Sequence, residues 1–186
     1  MKAAWLAALV IAAAAATASG QEAPASAPPI PEGRPPEWSL QAGYGFSVKV
    51  NRGNSHEHLF LLEPGVAFRL GPRLEYLVEA HFAKYFTPEG SMIGVVPVGG
   101  RYYFLHGPVL PYLSLGAGLG WTDLTTLEEI NRRFNFLLEG AIGVRGRVSD
   151  TQAWTLEFRW SHISNAGTVL PNLGLNCAVF LAGMRF

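Results

Sequence analysis

Trp38-Ser39-Leu40-Gln41-Ala42-Gly43-Tyr44-Gly45-Phe46-Ser47-Val48-Lys49-Val50 decides the fold. Trp38, Leu40, Ala42, Tyr44, Phe46, Val48 and Val50 are apolar, and the residues between them are polar or small. A period of two is a β-strand with one apolar and one polar face. The pattern recurs over 58–70, 73–86, 92–105, 108–121, 132–148, 152–164 and 175–186. In the fourth of these eight segments Val96, Val98, Tyr102 and Phe104 form the apolar set. Eight strands of ten or more residues are long enough to cross a bilayer when tilted. An even number closes into a barrel with no exposed edge.

Composition agrees. Hydrophobic residues make up 49% of the chain and charged residues only 15%, below the roughly 25% charged of soluble domains. Beyond the N-terminus no apolar run reaches the roughly 20 residues of a spanning helix. Lysine plus arginine and aspartate plus glutamate number 14 each, which excludes the basic excess of a general nucleic-acid binder. A lone Cys177 supports neither an internal disulfide framework nor a multi-cysteine metal site. Residues 1–20, with Lys2 before an alanine-rich run, are expected to be a signal peptide that exports the chain. Residues 21–36 read as a Pro/Ala-rich linker, and 37–186 as the barrel.

The connections alternate. Gly71-Pro72, His106-Gly107 and Ser149-Asp150 are tight turns, whereas 51–57, 87–91, 122–131 and 165–174 are longer. Short turns on one side and long loops on the other match an outer-membrane barrel, with the short turns periplasmic. Charged residues on the minority face of nearly every strand favour this all-β, eight-stranded antiparallel transmembrane barrel over a soluble barrel, whose apolar face would point inward. Glu63, Arg69, Glu75, Glu79, His81, Arg101, Glu139, Arg145, Glu157 and Arg159 are then a lumenal charge network.

In the seventh segment Trp154, Leu156, Phe158 and Trp160 share parity with His162 and Ser164, while Glu157 and Arg159 hold the lumenal parity. His162 and Ser164 therefore face lipid, near the outer rim. Polar groups at membrane depth are candidates for function, and the headgroup layer, where His and Ser cost little, is the alternative. Asn176 opens the eighth segment with the outward parity of Ala178, Phe180, Ala182 and Met184. Imidazole can take a serine proton and return it to a leaving alcohol, while a third group orients the ring.

His162-x-Ser164-Asn165-Ala166-Gly167, followed by Pro171-Asn172, Gly174 and Asn176, resembles the PagL-type lipid A 3-O-deacylase family, also called acyloxyacyl hydrolase-like. The resemblance implies an eight-stranded outer-membrane esterase with a Ser-His-Glu triad on its outer wall, removing the acyl chain at position 3 of lipid A. It makes Ser164 the nucleophile, His162 the general base, and Asn165 with the backbone near Gly167 the oxyanion donors. The position of the family acid holds Asn176. Other candidate acids are Asp123, Glu128 and Glu129 in the third long loop.

The implied partners are lipid A or lipopolysaccharide in the outer leaflet and the membrane itself. A homodimer stays open, and neither nucleic acid nor a cofactor is expected. His56 and His58 around Glu57 read as solvated loop histidines, and no metal is expected. Arg52, Arg132 and Arg133 suit either interfacial anchoring or lipid A phosphates. The competing readings are a structural or adhesive barrel that retains the motif, and a small pore, which eight strands leave too little room for.

Overall fold

The computed structural model describes residues 35–48, 57–127, 129–170 and 172–186. The expected signal peptide, residues 21–34 of the linker, Arg52, His56 and Glu128 lie outside them. Eight strands follow in order: β1 (Glu37–Ser47), β2 (His58–Arg69), β3 (Leu74–Phe86), β4 (Glu89–Tyr103), β5 (Val109–Thr122), β6 (Phe134–Arg147), β7 (Ala153–Ser164) and β8 (Leu175–Arg185). Each pairs antiparallel with the next, and β8 pairs with β1 to close the barrel. Closure satisfies every strand edge, which hydrocarbon demands because it offers the backbone no water.

The wall is inside-out relative to a soluble barrel. Leu115, Leu138 and Leu156 are 63%, 55% and 52% exposed, whereas Glu63, Glu157 and Arg159 are at most 4% exposed. Leaving such side chains in water would forfeit roughly 1.5–3 kcal/mol each, so this wall is built for lipid. Exposed aromatics mark both rims: Tyr44, Phe60, Trp121 and Phe134 at one end, Trp38, Phe68, Tyr102 and Phe186 at the other. These are the interfacial belts of a membrane barrel.

Two local features depart from strict alternation. Between Val95 and Val98, β4 carries one more residue than either neighbour. The bulge reverses parity, so Val96 is fully buried inside while Val98 faces out. Val96 therefore does not share the outward face of Val98, Tyr102 and Phe104. Pro97, which has no N–H for the ladder, occupies the irregularity, and its carbonyl accepts the Tyr76 hydroxyl. Second, β3 and β4 stay paired up to Phe86 and Glu89, so the expected loop over 87–91 contracts to Thr87-Pro88.

The lumen holds two charged layers and, toward the loop end, an apolar one. Arg159, 2% exposed, reaches Glu63 and Glu157 at 2.6 Å, Glu139 at 3.3 Å and Glu79 at 3.7 Å. Below it Glu75 meets Arg69 at 2.8 Å, Arg185 at 2.9 Å and Arg145 at 3.4 Å. Toward the loop end the filling is apolar instead. Leu59, Leu61, Tyr85, Met92, Leu137 and Ile163 pack under Leu124 and Ile130 from the β5–β6 loop. The loop thus caps the barrel, and the described lumen is a core rather than a channel. Arg159→Met removes the counter-charge that four buried glutamates share and leaves Arg101, 3.4 Å from Glu157 and 3.9 Å from Glu79, as the remaining cation. It is expected to lower stability by about 3–5 kcal/mol, read as a lower urea midpoint in lipid vesicles. An unchanged midpoint would contradict an ionised cluster.

Candidate active site

His162 lies directly opposite Asn176 in the β7–β8 ladder. Residues paired this way have Cβ atoms about 4.5–5.5 Å apart, close enough for short polar side chains to meet. His162 Nδ1 is 2.9 Å from Asn176 Oδ1. An amide oxygen only accepts, so Nδ1 carries the proton and Nε2 is left with its lone pair. Two residues further along the same outward face is Ser164, about 7 Å away along the strand. Its cross-strand neighbour on β6 is Phe136, and that of His162 is Leu138. All three polar residues are half-buried on the lipid side of the wall, at the loop end. No hydrogen bond joins Ser164 Oγ to His162 among the described residues.

The turn after Ser164 is made of special backbone. Ala166 has φ 54° and Gly167 φ 75°, the left-handed region that costs a non-glycine residue about 1–2 kcal/mol. Asn165, 1% exposed, organises the turn. Its N–H donates to Asn172 Oδ1 at 3.2 Å, and its amide nitrogen to Asn131 Oδ1 at 2.8 Å and to the Val169 carbonyl at 3.1 Å. Its carbonyl accepts both the N–H and the hydroxyl of Thr168, at 3.2 Å and 2.9 Å. Every N–H of Asn165 is therefore engaged in this conformation. The N–H groups of Ala166 and Gly167 have no protein acceptor among the described residues.

Gly174 is the residue whose part sequence reasoning missed, although it stands in the quoted motif. It has φ +71°, and a Cβ there would lie 2.5 Å from His162 Cε1. Its N–H donates to the Glu129 carbonyl at 3.2 Å. The imidazole is thus held between Asn176 on one side and bare backbone on the other. Gly174→Ala is expected to displace the ring and lower any turnover that depends on it by about 10²-fold, the effect of a misplacement near 1 Å. Activity measured on barrels that keep their heat-modifiable mobility checks this.

The other acids sit elsewhere. Asp123 accepts the Ser91 N–H at 2.6 Å and its hydroxyl at 2.9 Å, and these bonds hold its carboxyl below the usual range. Glu129 is 5% exposed and touches the site through its backbone carbonyl. Glu157 is in the lumen, bound to Arg159 and to the Tyr112 hydroxyl. His58 pairs with Tyr44, its Nδ1 2.9 Å from the hydroxyl.

A family model described as lipid A 3-O-deacylase (PagL) matches residues 13–185. Among solved structures the chain is similar to the crystal structure of the outer membrane enzyme PagL. That likeness has 16% sequence identity and TM-score 0.61, over 79% of this chain and 97% of the other. It is also similar to the crystal structure of Neisserial surface protein A, with 17% identity and TM-score 0.63, over 81% of this chain and 95% of the other. At these identities the two likenesses speak to the fold alone. No curated protein sequence matches with significance.

Proposed function

This chain belongs to the lipid A 3-O-deacylase (PagL) family, and from that premise we propose that it hydrolyses an acyl ester of lipid A in the outer leaflet of an outer membrane. The observation that carries the mechanism is the 2.9 Å contact from His162 Nδ1 to Asn176 Oδ1, with Ser164 on the same face of the same strand. Asn176 fixes the tautomer in which Nε2 can accept. His162 Nε2 takes the Ser164 proton as Oγ attacks the ester carbonyl. The oxyanion is met by N–H groups of the Asn165–Gly167 turn: the Gly167 N–H meets no protein acceptor among the described residues, while Asn165 would exchange Asn172 for the substrate oxygen. His162 then gives the proton to the sugar oxygen as its bond to the acyl carbon breaks, and the sugar leaves as the free hydroxyl. Water attacks the acyl-enzyme with His162 again as base, releasing the fatty acid and restoring Ser164.

The position suits the substrate. Both side chains face lipid at the rim, where an ester between sugar and acyl chain lies, and Phe136 and Leu138 beside them offer an apolar path for the chain. No diffusing step out of the membrane is needed. The second reading is a barrel that keeps the motif without turnover. It draws on an amide where the resemblance implies a carboxylate. A mass spectrum of lipid A from cells expressing the protein separates the two. The esterase removes the mass of one hydroxyacyl chain, and an unchanged spectrum sinks it.

A further inference from the structure

The outer rim carries a groove beside the candidate active site, lined by Trp121, Thr125, Asn131, Arg132, Arg133, Phe134 and Thr168. Arg132 and Arg133 are exposed, and neither meets a carboxylate among the described residues. The third described Lys or Arg at this end, Lys84, is paired with Glu89 at 2.8 Å. The arginine backbone is anchored: Asn135 Nδ2 donates to the Arg132 carbonyl at 2.7 Å, and the Thr122 N–H to the Arg133 carbonyl at 2.8 Å. Two adjacent arginines are therefore presented from an anchored loop end, with no carboxylate partner among the described residues.

The groove lies near Ser164, on the outer side of its β6 neighbour Phe136. Trp121 and Phe134 are cross-strand partners and form its floor. Phe134 stacks edge-on against Phe136, ring centroids 5.6 Å apart, and Phe136 is the register partner of Ser164. That places the floor one strand across from Ser164, about 4.8 Å, and two residues further out, about 7 Å. Asn131 at the groove accepts from Asn165 in the Ser164 turn at 2.8 Å, and Thr168 at the groove donates to the Asn165 carbonyl at 2.9 Å. Outward of the ester in an outer leaflet comes the sugar headgroup. Lipid A is a phosphorylated, acylated glucosamine disaccharide, so an anion lies about one sugar ring from the ester.

Resting on the deacylase reading, we propose that the Arg132–Arg133 groove is a phosphate subsite that seats the glucosamine backbone and brings one acyl ester over Ser164. Guanidinium forks match phosphate oxygens in pairs. The exposed Trp121 and Phe134 rings supply the apolar flank on which a sugar face can rest. The subsite acts on binding and orientation and takes no part in proton transfer.

The test uses the full-length barrel in detergent micelles, with phosphorylated lipid A and its chemically dephosphorylated analogue as substrates. The double variant Arg132→Gln/Arg133→Gln is expected to raise KM for the phosphorylated substrate about ten-fold or more, with kcat within about two-fold. On the dephosphorylated analogue it should match the parent, and Arg132→Lys/Arg133→Lys should recover part of the loss. An equal rise on both substrates, or no rise, overturns the subsite. Binding of phosphorylated lipid A to the Ser164→Ala barrel is measured alongside and needs no turnover. It should weaken by the same factor on the double substitution, and phosphatidylglycerol should compete poorly. Equal competition by phosphatidylglycerol would make the pair a general anionic anchor and overturn the proposal. Absence of turnover by the parent on both substrates, with phosphate-dependent binding intact, would count against the deacylase reading and leave the subsite standing.

Discussion

Ser164→Ala is expected to abolish acyl release from lipid A, by on the order of a million-fold, the loss a serine hydrolase suffers without its nucleophile. The hydroxyl accounts for the whole effect, because nothing else at the position is costly to change. Ser164 is half-buried at the last residue of β7, and its side chain makes no hydrogen bond among the described residues. Truncation there should alter stability by no more than about 0.5 kcal/mol. The barrel should keep its heat-modifiable mobility while the lipid A spectrum reverts to the fully acylated form. His162→Ala should be as severe, and the double variant no worse than either single one, since nucleophile and base act as a unit. Acyl loss that persists at the parent rate with alanine at 164 would remove the acyl-enzyme mechanism altogether.

Asn176 carries the second large effect, and its sign depends on the replacement. Asn176→Leu keeps the branched outline and removes the acceptor for His162 Nδ1–H. With the tautomer unfixed, the rate should fall by about 10³–10⁴-fold, close to the loss when a triad member stabilises the wrong tautomer. Asn176→Asp keeps the 2.9 Å geometry and adds a charge beside the imidazolium that forms in the transition state. At an effective dielectric near 20 two such charges about 4 Å apart attract by roughly 4 kcal/mol. Desolvating a carboxylate on a half-buried lipid face offsets part of this. A gain of roughly ten- to a hundred-fold is expected. Fatty-acid release by purified parent and variants in micelles measures both changes. If leucine and aspartate both leave the rate at the parent value, Asn176 has no part in orienting His162, and another group holds the ring.

Much of the barrel was legible because strand parity is a local property. The large residues in Trp154-x-Leu156-x-Phe158-x-Trp160 must go to lipid if Glu157 and Arg159 are to avoid it, and two further steps carry His162 and Ser164 to the same side. The bulge at Val96-Pro97 was not legible, although Pro97 marks a residue that cannot donate to a ladder. A bulge is defined by how many residues face each other across two strands, and both neighbours, β3 and β5, are needed to count them. The apolar upper lumen escaped for the same reason. Leu124 and Ile130 stand in a loop whose burial depends on β2, β3 and β8 meeting beneath it.

Alternation, charge and motif by themselves determined the all-β class, the strand count, the lipid-facing side of His162, Ser164 and Asn176, and the chemistry those residue types could perform. Each follows from a side chain's preference for lipid or lumen, which needs no partner to be stated. Only the tertiary structure decided that His162 and Asn176 stand in register, that Asn165 has committed its donors to Asn131, Asn172 and Val169, and that Gly174 backs the imidazole. The connection between β7 and β8 is too long for a turn type to set the register, so the match came from barrel closure and from the loop stitched to Asn131 and Glu129. Distances of a few ångströms between residues 14 and 34 positions apart are properties of that closure, and no periodicity along the chain encodes them.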